Sequence, residues 1–92
     1  MQRSVYKVLP RLDWDAAVAL GAFAGSPDDH RDGYIHLSTA AQLPGTLSRF
    51  FGGVPDLVLV RFDADSLGPD LRWEPARDGQ LFPHLYRPLP AA

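Results

Sequence analysis

The chain has 92 residues, of which 46% are apolar and 22% charged, as in one small globular domain. A net charge of −2 argues against a DNA-binding surface, and the absence of cysteine excludes disulfides and thiolate metal sites. There is neither a signal-peptide pattern nor an apolar run of membrane-spanning length. We therefore expect a single cytoplasmic domain over residues 1–92.

The first third of the chain predicts a strand, a helix and a loop. Residues 4–9 alternate as on a strand, and residues 12–20 have helical spacing that ends at Gly21. The apolar side chains of this helix are expected to face the core. Residues 23–31, rich in Gly, Ser, Pro and Asp, predict a loop or a short turn of helix of the kind that borders functional sites.

A turn, a strand and a helix start follow one another in residues 32–39. Polar and apolar residues alternate after the Asp-Gly turn, which places Ile35 and Leu37 on one strand face. The opposite face carries an aromatic ring, an imidazole and a hydroxyl: Tyr34, His36 and Ser38. Such a face is suited to lining a polar pocket.

Residues 39–51 predict two consecutive helical segments. Thr39 and Gln42 stand three apart and fit a capping box, which indicates one short turn. A second helix, with Pro44 in its first turn, is expected to follow. Its larger apolar side chains are expected to face inward: Leu47, Phe50 and Phe51.

Two of the remaining segments look like strands, and the chain end looks irregular. Residues 56–63 are apolar on both faces and predict a central strand. Residues 81–86 contain Pro83, which predicts an edge or irregular stretch. The proline-rich residues 87–92 are expected to fray.

A short strand is predicted over residues 71–74, with Trp73 in the core and Arg72 and Glu74 on the opposite face. Residues 77–79 are expected to form an exposed turn in which Arg77 is solvated. Five apolar side chains are expected to be largely buried: Trp14, Leu37, Leu59, Phe62 and Trp73.

Three segments together resemble the bacterial family called domain of unknown function 952. They are residues 32–38 (Asp-Gly-Tyr-Ile-His-Leu-Ser), 71–75 (Leu-Arg-Trp-Glu-Pro) and 82–86 (Phe-Pro-His-Leu-Tyr). Members usually continue into a final strand, so that strand is expected to be missing or truncated after Ala92. The resemblance implies a small α+β fold similar to that of ADP-ribosyltransferases and RNA 2′-phosphotransferases. Such a fold has a twisted mixed or antiparallel sheet with two to three short helices.

The resemblance also implies a site. In proteins of that fold a histidine on an early strand binds the ribose of NAD or a related nucleotide, an aromatic ring stacks on the nicotinamide, and a late glutamate orients the reacting hydroxyl. His36 and Glu74 are accordingly the expected catalytic residues, and NAD or a nucleotide-like small molecule is the expected ligand. Five further residues are expected to bind it: Tyr34, Ser38, Arg72, His84 and Tyr86.

Simpler interpretations of these residues stay open. His36 is alternatively a buried histidine bonded to the backbone, and Ser38 a helix cap. Glu74 is alternatively paired with Arg72 in a surface ion pair worth about 0–1 kcal/mol. A Ser38–His36–Glu74 triad is disfavoured because residues two apart on a strand point side by side. The three histidines lack the paired spacing of a metal site. The whole domain is alternatively a non-catalytic interaction or regulatory module that keeps the fold.

Overall fold

All strand pairs in residues 3–91, the part of the chain that the computed structural model describes, are antiparallel. Three ladders are formed, with the orders β1–β4, β2–β7 and β3–β6–β5. The strands are β1 (Ser4–Pro10), β2 (Ala22–Phe23), β3 (Ile35–His36), β4 (Leu57–Asp63), β5 (Leu71–Pro75), β6 (Leu81–Leu85) and β7 (Leu89–Pro90). The helices are α1 (Arg11–Leu20), α2 (Pro27–Asp32) and α3 (Leu43–Phe50), with 3-10 turns at Ala40–Gln42, Ala64–Asp70 and Arg77–Gly79. The expected small α+β architecture is confirmed, and its strand pairing is antiparallel.

The chain that follows β3 runs beside β1. Tyr6 and Ser38 exchange two backbone hydrogen bonds of 2.8 and 2.9 Å. Strand β1 therefore has β4 on one side and this segment on the other. Its buried Val5 and Leu9 belong to the central apolar cluster, together with Leu85 of β6.

Strand β4 lies at an edge, so the central position expected for residues 56–63 is wrong. Among residues 3–91 it pairs with β1 alone. Val58 and Val60 pack against the core, whereas Leu59 points to the opposite face and is 55% exposed, so its expected burial is wrong. An apolar run on both faces does not show whether both faces are covered.

Helix α1 ends at Gly21 as expected, with the positive φ of 87° that glycine accepts without strain. Ala17 is buried, and Trp14 one turn earlier packs partly buried against the core. Leu12 lies on the other side of the helix, and Leu20 is 84% exposed. The expected burial of the whole apolar side is therefore wrong.

Capping residues define the next two helical segments. The Ser26 side chain accepts from the Asp29 amide, and the Asp29 carboxylate accepts from the Ser26 amide, so residues 23–31 contain a short capped helix, α2. The Thr39–Gln42 capping box is confirmed. Helix α3 follows it with a proline in the first turn, also as expected.

The side of α3 that was expected to face inward does not. Phe50 is 56% exposed and Leu47 also reaches solvent, whereas Phe51 is half-buried. No α3 residue is buried in this structure. Helix α3 therefore lies on the surface of the domain. No helix within residues 3–91 has the length and apolar character needed to cross a membrane.

Strand β6 is central, so the edge position expected from Pro83 is wrong. Pro83 is fully buried and stands opposite Trp73 of β5. Its carbonyl accepts from the Leu37 amide at 3.0 Å, so its nitrogen points toward the β3 side of the sheet. Because β3 ends at His36, the missing N–H removes a hydrogen bond only at the end of a ladder.

The chain end is ordered over residues 87–91, and the expected fraying is wrong there. Leu89 is fully buried and pairs with Phe23 of β2. Ala91 is buried and donates its amide to the Gly21 carbonyl at 3.1 Å. Ala92 lies outside the described residues.

The other predictions of side-chain burial are only partly confirmed. Leu37 is buried, as expected. Trp14, Phe62 and Trp73 are only half-buried but do pack against the core, which confirms the face assigned to Trp73. Arg77 is half-buried rather than solvated, while its neighbours in the same turn are exposed as expected.

Candidate functional site

The three-stranded ladder has one apolar face and one face of polar and aromatic side chains. Ile35, Leu71 and Leu85 stand opposite one another and join the core. One residue further along each strand, the register aligns three side chains on the outer face: His36, His84 and Arg72. The strand parity read from the sequence for residues 34–38 and 71–74 therefore holds in β3 and β5.

His36 lies between two carboxylates of α2. Its Nδ1 is 2.6 Å from Asp29 Oδ1, and its Nε2 is 2.9 Å from Asp32 Oδ2. Ionised carboxylates only accept, so both contacts are hydrogen bonds only when both ring nitrogens carry hydrogen. The His36 side chain is 36% exposed. The alternative of a buried histidine bonded to the backbone is therefore wrong.

Asp29 is the buried anchor of this arrangement. It accepts from the Ser26 and His36 amides at 2.9 and 3.0 Å and pairs with Lys7 Nζ at 3.0 Å. Burial by itself raises the pKa of Asp29, but the His36 hydrogen bond and the Lys7 charge outweigh it and hold the pKa well below its ordinary value. Asp29 is therefore ionised at neutral pH and fixes the orientation of His36.

Lys7 completes the anchor from β1. It is 6% exposed and lies on the core face of its strand. Its ammonium group also donates to the His36 carbonyl at 3.1 Å. Burial lowers the pKa of Lys7, and the neighbouring Asp29 opposes that effect. The pair joins β1, α2 and β3 at the base of the site.

A second histidine on the same face is held by Glu74. His84 is buried, and its Nδ1 lies 2.9 Å from Glu74 Oε1. The Tyr86 hydroxyl donates to the same oxygen at 2.7 Å. The hydrogen bonds from Tyr86 and His84 lower the pKa of Glu74, and the contact with Glu74 raises the pKa of the Tyr86 hydroxyl. Tyr34 stacks on His84, with ring centroids 4.0 Å apart.

Arg72 contacts the edge of this cluster. Its Cζ lies 4.5 Å from the centroid of the Tyr86 ring, a cation–π distance. Among the ion pairs of residues 3–91 there is none between Arg72 and Glu74. The surface ion pair considered for these two residues is therefore not formed.

A cleft of about 280 Å³ opens beside His36. Strands β1, β3 and β6, helices α2 and α3, and the turn at Arg77 all contribute to its wall. Ser38 lines it and lies 2.9 Å from Thr46 Oγ1 of α3. Because Thr39 caps the following turn, the alternative of Ser38 as a helix cap is wrong.

The site residues predicted from the sequence all lie in this region, but not all of them line the cleft. Four line the cleft: Tyr34, His36, Ser38 and His84. Glu74, Tyr86 and Arg72 lie beside it on the same sheet face, and Glu74 reaches the cleft through its bond to His84. Among residues 3–91 no group of three or more His, Asp or Glu side chains is arranged to hold a metal ion.

Sequence reasoning missed five residues of the site: Lys7, Asp29, Asp32, Thr46 and Arg77. Two signals pointed to the first pair. A lysine on the apolar face of a strand requires a buried anion, and the spacing of Ser26 and Asp29 fits a capping box. Nothing local indicated the other three residues.

The fold and the site define a small α+β domain with a cleft built around a histidine held by carboxylates. The chain belongs to the family described as protein of unknown function (DUF952), whose model matches residues 8–92. A comparison with curated proteins gave no significant match.

Solved structures of protein CC0527 from Caulobacter crescentus are similar to this chain. The crystal structure is 50% identical, with a TM-score of 0.92, over 95% of this chain and 76% of that one. The solution NMR structure is also 50% identical, with a TM-score of 0.85, over 96% of this chain and 76% of that one.

Proposed function

We propose that the cleft binds NAD, ADP-ribose or a related nucleotide-like ligand through its ribose, and that the domain is of the ADP-ribosyltransferase-like kind. The observation that supports this most strongly is the geometry of His36. Asp29 holds Nδ1 of His36, whereas Nε2 lies beside Asp32 at the cleft. The His36 side chain is about one-third exposed. When both ring nitrogens carry hydrogen, Nε2 is a donor next to the Asp32 acceptor, a suitable pair for a vicinal diol, which offers both an acceptor oxygen and a hydroxyl hydrogen.

The Asp29–His36 contact determines which ring nitrogen faces the cleft. A carboxylate at Nδ1 holds the hydrogen on that nitrogen and fixes the ring orientation, as it does for histidine ligands and catalytic histidines in general. Nε2 then keeps a fixed direction toward the ligand. Asp32 is the exchangeable partner, because its side chain is 30% exposed whereas that of Asp29 is buried. Its carboxylate keeps its hydrogen bonds from the exposed Arg31, at 2.9 and 3.1 Å, when the contact with Nε2 opens. A ligand hydroxyl inserts between Nε2 and Asp32 without disturbing the buried anchor.

The aromatic rings supply the second element of the proposal. Tyr34 has its centroid 4.7 Å from that of His36 and 5.3 Å from that of Tyr86, so a planar base has ring surfaces beside the ribose position. The cleft volume lies near the lower limit of ligand pockets, which begins at about 300 Å³. We therefore expect the cleft to take no more than one nucleoside phosphate unit, with the rest of a dinucleotide outside.

In this proposal Glu74 takes the role of the late glutamate of the ADP-ribosyltransferase-like fold. Its carboxylate lies beside the cleft on the same sheet face, where Tyr86 and His84 orient it. In a transferase it orients the reacting ribose hydroxyl. A hydrogen bond to a charged group contributes about 1.5–3 kcal/mol, so its loss weakens binding by about tenfold or more.

The test is the affinity for NAD and ADP-ribose, measured by calorimetry on the wild type and on His36→Gln, Glu74→Gln and His30→Gln. His30 is exposed and outside the cleft, which makes it the matched control for His36. We expect the first two substitutions to weaken binding about tenfold or more and the control to leave it unchanged. Equal loss in His30→Gln, or no binding to the folded wild type at millimolar ligand, refutes the proposal. In the latter case the interaction-module alternative takes its place.

A further inference from the structure

Arg77 differs from every other arginine of the chain. Of the eight arginines, all within the described residues, it alone is not exposed. Its guanidinium lies between two aromatic rings, with Cζ 4.8 Å from the Phe82 centroid and 5.5 Å from the Phe50 centroid. No carboxylate side chain in residues 3–91 lies within 4 Å of it, whereas Arg11 and Arg87 each have one and Arg31 has two.

A guanidinium held between two aromatic rings loses part of its hydration. Removing a guanidinium from water is unfavourable unless a charged partner or several hydrogen bonds replace the solvent. Arg77 makes one hydrogen bond to a described side chain, from Nη2 to Thr46 Oγ1 at 3.0 Å. No buried side-chain donor in the described residues lacks a partner, so the other donors of this guanidinium are open to solvent and to a ligand.

Two hydroxyl groups extend the donor set toward the cleft. Thr46 Oγ1 accepts from Arg77 and lies 2.9 Å from Ser38 Oγ. With Thr46 donating to Ser38, the Ser38 hydroxyl hydrogen is free to donate to a ligand. All three side chains line the same cleft as His36.

We propose that Arg77, with the Ser38 hydroxyl, binds the phosphate of the nucleotide whose ribose contacts His36. This rests on the proposed function and adds the class of ligand, a nucleoside phosphate. A planar guanidinium matches the oxygens of a phosphate with two parallel hydrogen bonds. The three acidic residues of the cleft, Asp28, Asp29 and Asp32, do not oppose this directly, because they belong to α2 and each is paired there with a positively charged side chain or with His36. Arg77 instead contacts α3 and β6.

The spacing along β6 agrees with one sugar-phosphate unit. Phe82, which contacts Arg77, and His84, whose ring centroid is 5.8 Å from that of His36, are two residues apart on that strand. Two residues of an antiparallel strand span about 7 Å. A phosphate beside Phe82 and a ribose beside the two histidines therefore occupy adjacent positions in the cleft.

The experiment compares ligands that differ only in the phosphate. Dissociation constants are measured by NMR titration for adenosine and AMP, and for nicotinamide riboside and its mononucleotide. The proteins are the wild type, Arg77→Gln, Arg77→Lys and Arg49→Gln. Arg49 is an exposed arginine of α3 outside the cleft lining, so it controls for the loss of one positive charge.

We expect the wild type to bind each phosphorylated ligand about tenfold or more tightly than its nucleoside. Arg77→Gln is expected to remove this difference by weakening the nucleotide alone, and Arg49→Gln to keep it. If Arg77→Gln does not fold, Arg77→Lys serves instead, because lysine keeps the charge but not the two-pronged contact and is expected to reduce the difference several-fold.

Three other outcomes separate this inference from the proposed function. Equal affinity of the wild type for nucleoside and nucleotide overturns the phosphate site and leaves the ribose site standing. Equal weakening of both ligands by Arg77→Gln also overturns it, since it shows a structural role. If neither nucleosides nor nucleotides bind but inorganic phosphate shifts the Thr46 and Arg77 resonances, the anion site is supported and the nucleotide function is refuted.

Discussion

The replacement Asp29→Asn tests the buried anchor beneath the site. It removes one charge and keeps the shape of the side chain. The side chains of Asp29 and Lys7 are 2% and 7% exposed, and the substitution leaves the Lys7 ammonium group in the interior without its counter-ion. Breaking a buried ion pair on one side costs about 3–5 kcal/mol, a large part of the 5–15 kcal/mol that small domains have.

The assay is equilibrium unfolding in urea, followed by tryptophan fluorescence and circular dichroism. Asp28→Asn is the matched control, because Asp28 lies on the same helix in an exposed ion pair with Arg31, worth about 0–1 kcal/mol. The double variant Lys7→Met, Asp29→Asn is expected to recover part of the loss, since it removes both charges. A free energy of unfolding for Asp29→Asn within about 1 kcal/mol of that of Asp28→Asn would refute the role of the anchor.

The same variant changes the pH dependence of stability. The pKa of Asp29 in the folded protein lies below its value in the unfolded chain, about 3.9. Its contribution is therefore complete above the unfolded pKa and is lost as the pH falls toward the folded pKa. We expect the wild type to lose stability below about pH 5 more steeply than Asp29→Asn. Parallel acid limbs in the two proteins would contradict this.

Two further expectations concern the surroundings of the site. Gly25 has a φ of 127°, and a Cβ there would lie 3.1 Å from a side-chain carbon of α2, so Gly25→Ala is expected to lower the free energy of unfolding in urea by about 1–3 kcal/mol. Gly52→Ala is the near-neutral control, because Gly52 has no positive φ and its nearest contact is at 3.5 Å. Equal effects of the two substitutions would refute the argument. The contact with Glu74 raises the pKa of the Tyr86 hydroxyl, so Glu74→Gln is expected to shift that pKa down toward its ordinary value in an ultraviolet titration, and an unchanged titration would show that the contact is absent in solution.

The parts of the site that the sequence indicated are those fixed by local geometry. Strand alternation placed Tyr34 and His36 on one face because side-chain direction depends only on position along the strand. The Thr39–Gln42 capping box was recognisable because both partners lie within one helical turn. These rules require no knowledge of distant contacts.

The parts that the sequence did not indicate depend on distant neighbours. Asp29 becomes the anchor only because Lys7, 22 residues earlier, reaches it across the core. Arg77 reaches the site because it donates a hydrogen bond to Thr46 of α3, 31 residues earlier. Pro83 occupies a central strand because β3 is short enough to end beside it. Composition and periodicity do not show which distant residues will meet in these contacts.

The most direct test of the central claim is the NMR signal of the His36 ring during addition of ADP-ribose. Because Nε2 faces Asp32 at the cleft, we expect its ¹⁵N resonance and the amides of Tyr34 and His36 to shift in a saturable way. The exposed His30 ring is expected to stay unchanged. An unshifted His36 ring at millimolar ADP-ribose, in a protein that remains folded, would contradict the assignment of this cleft as a ribose site.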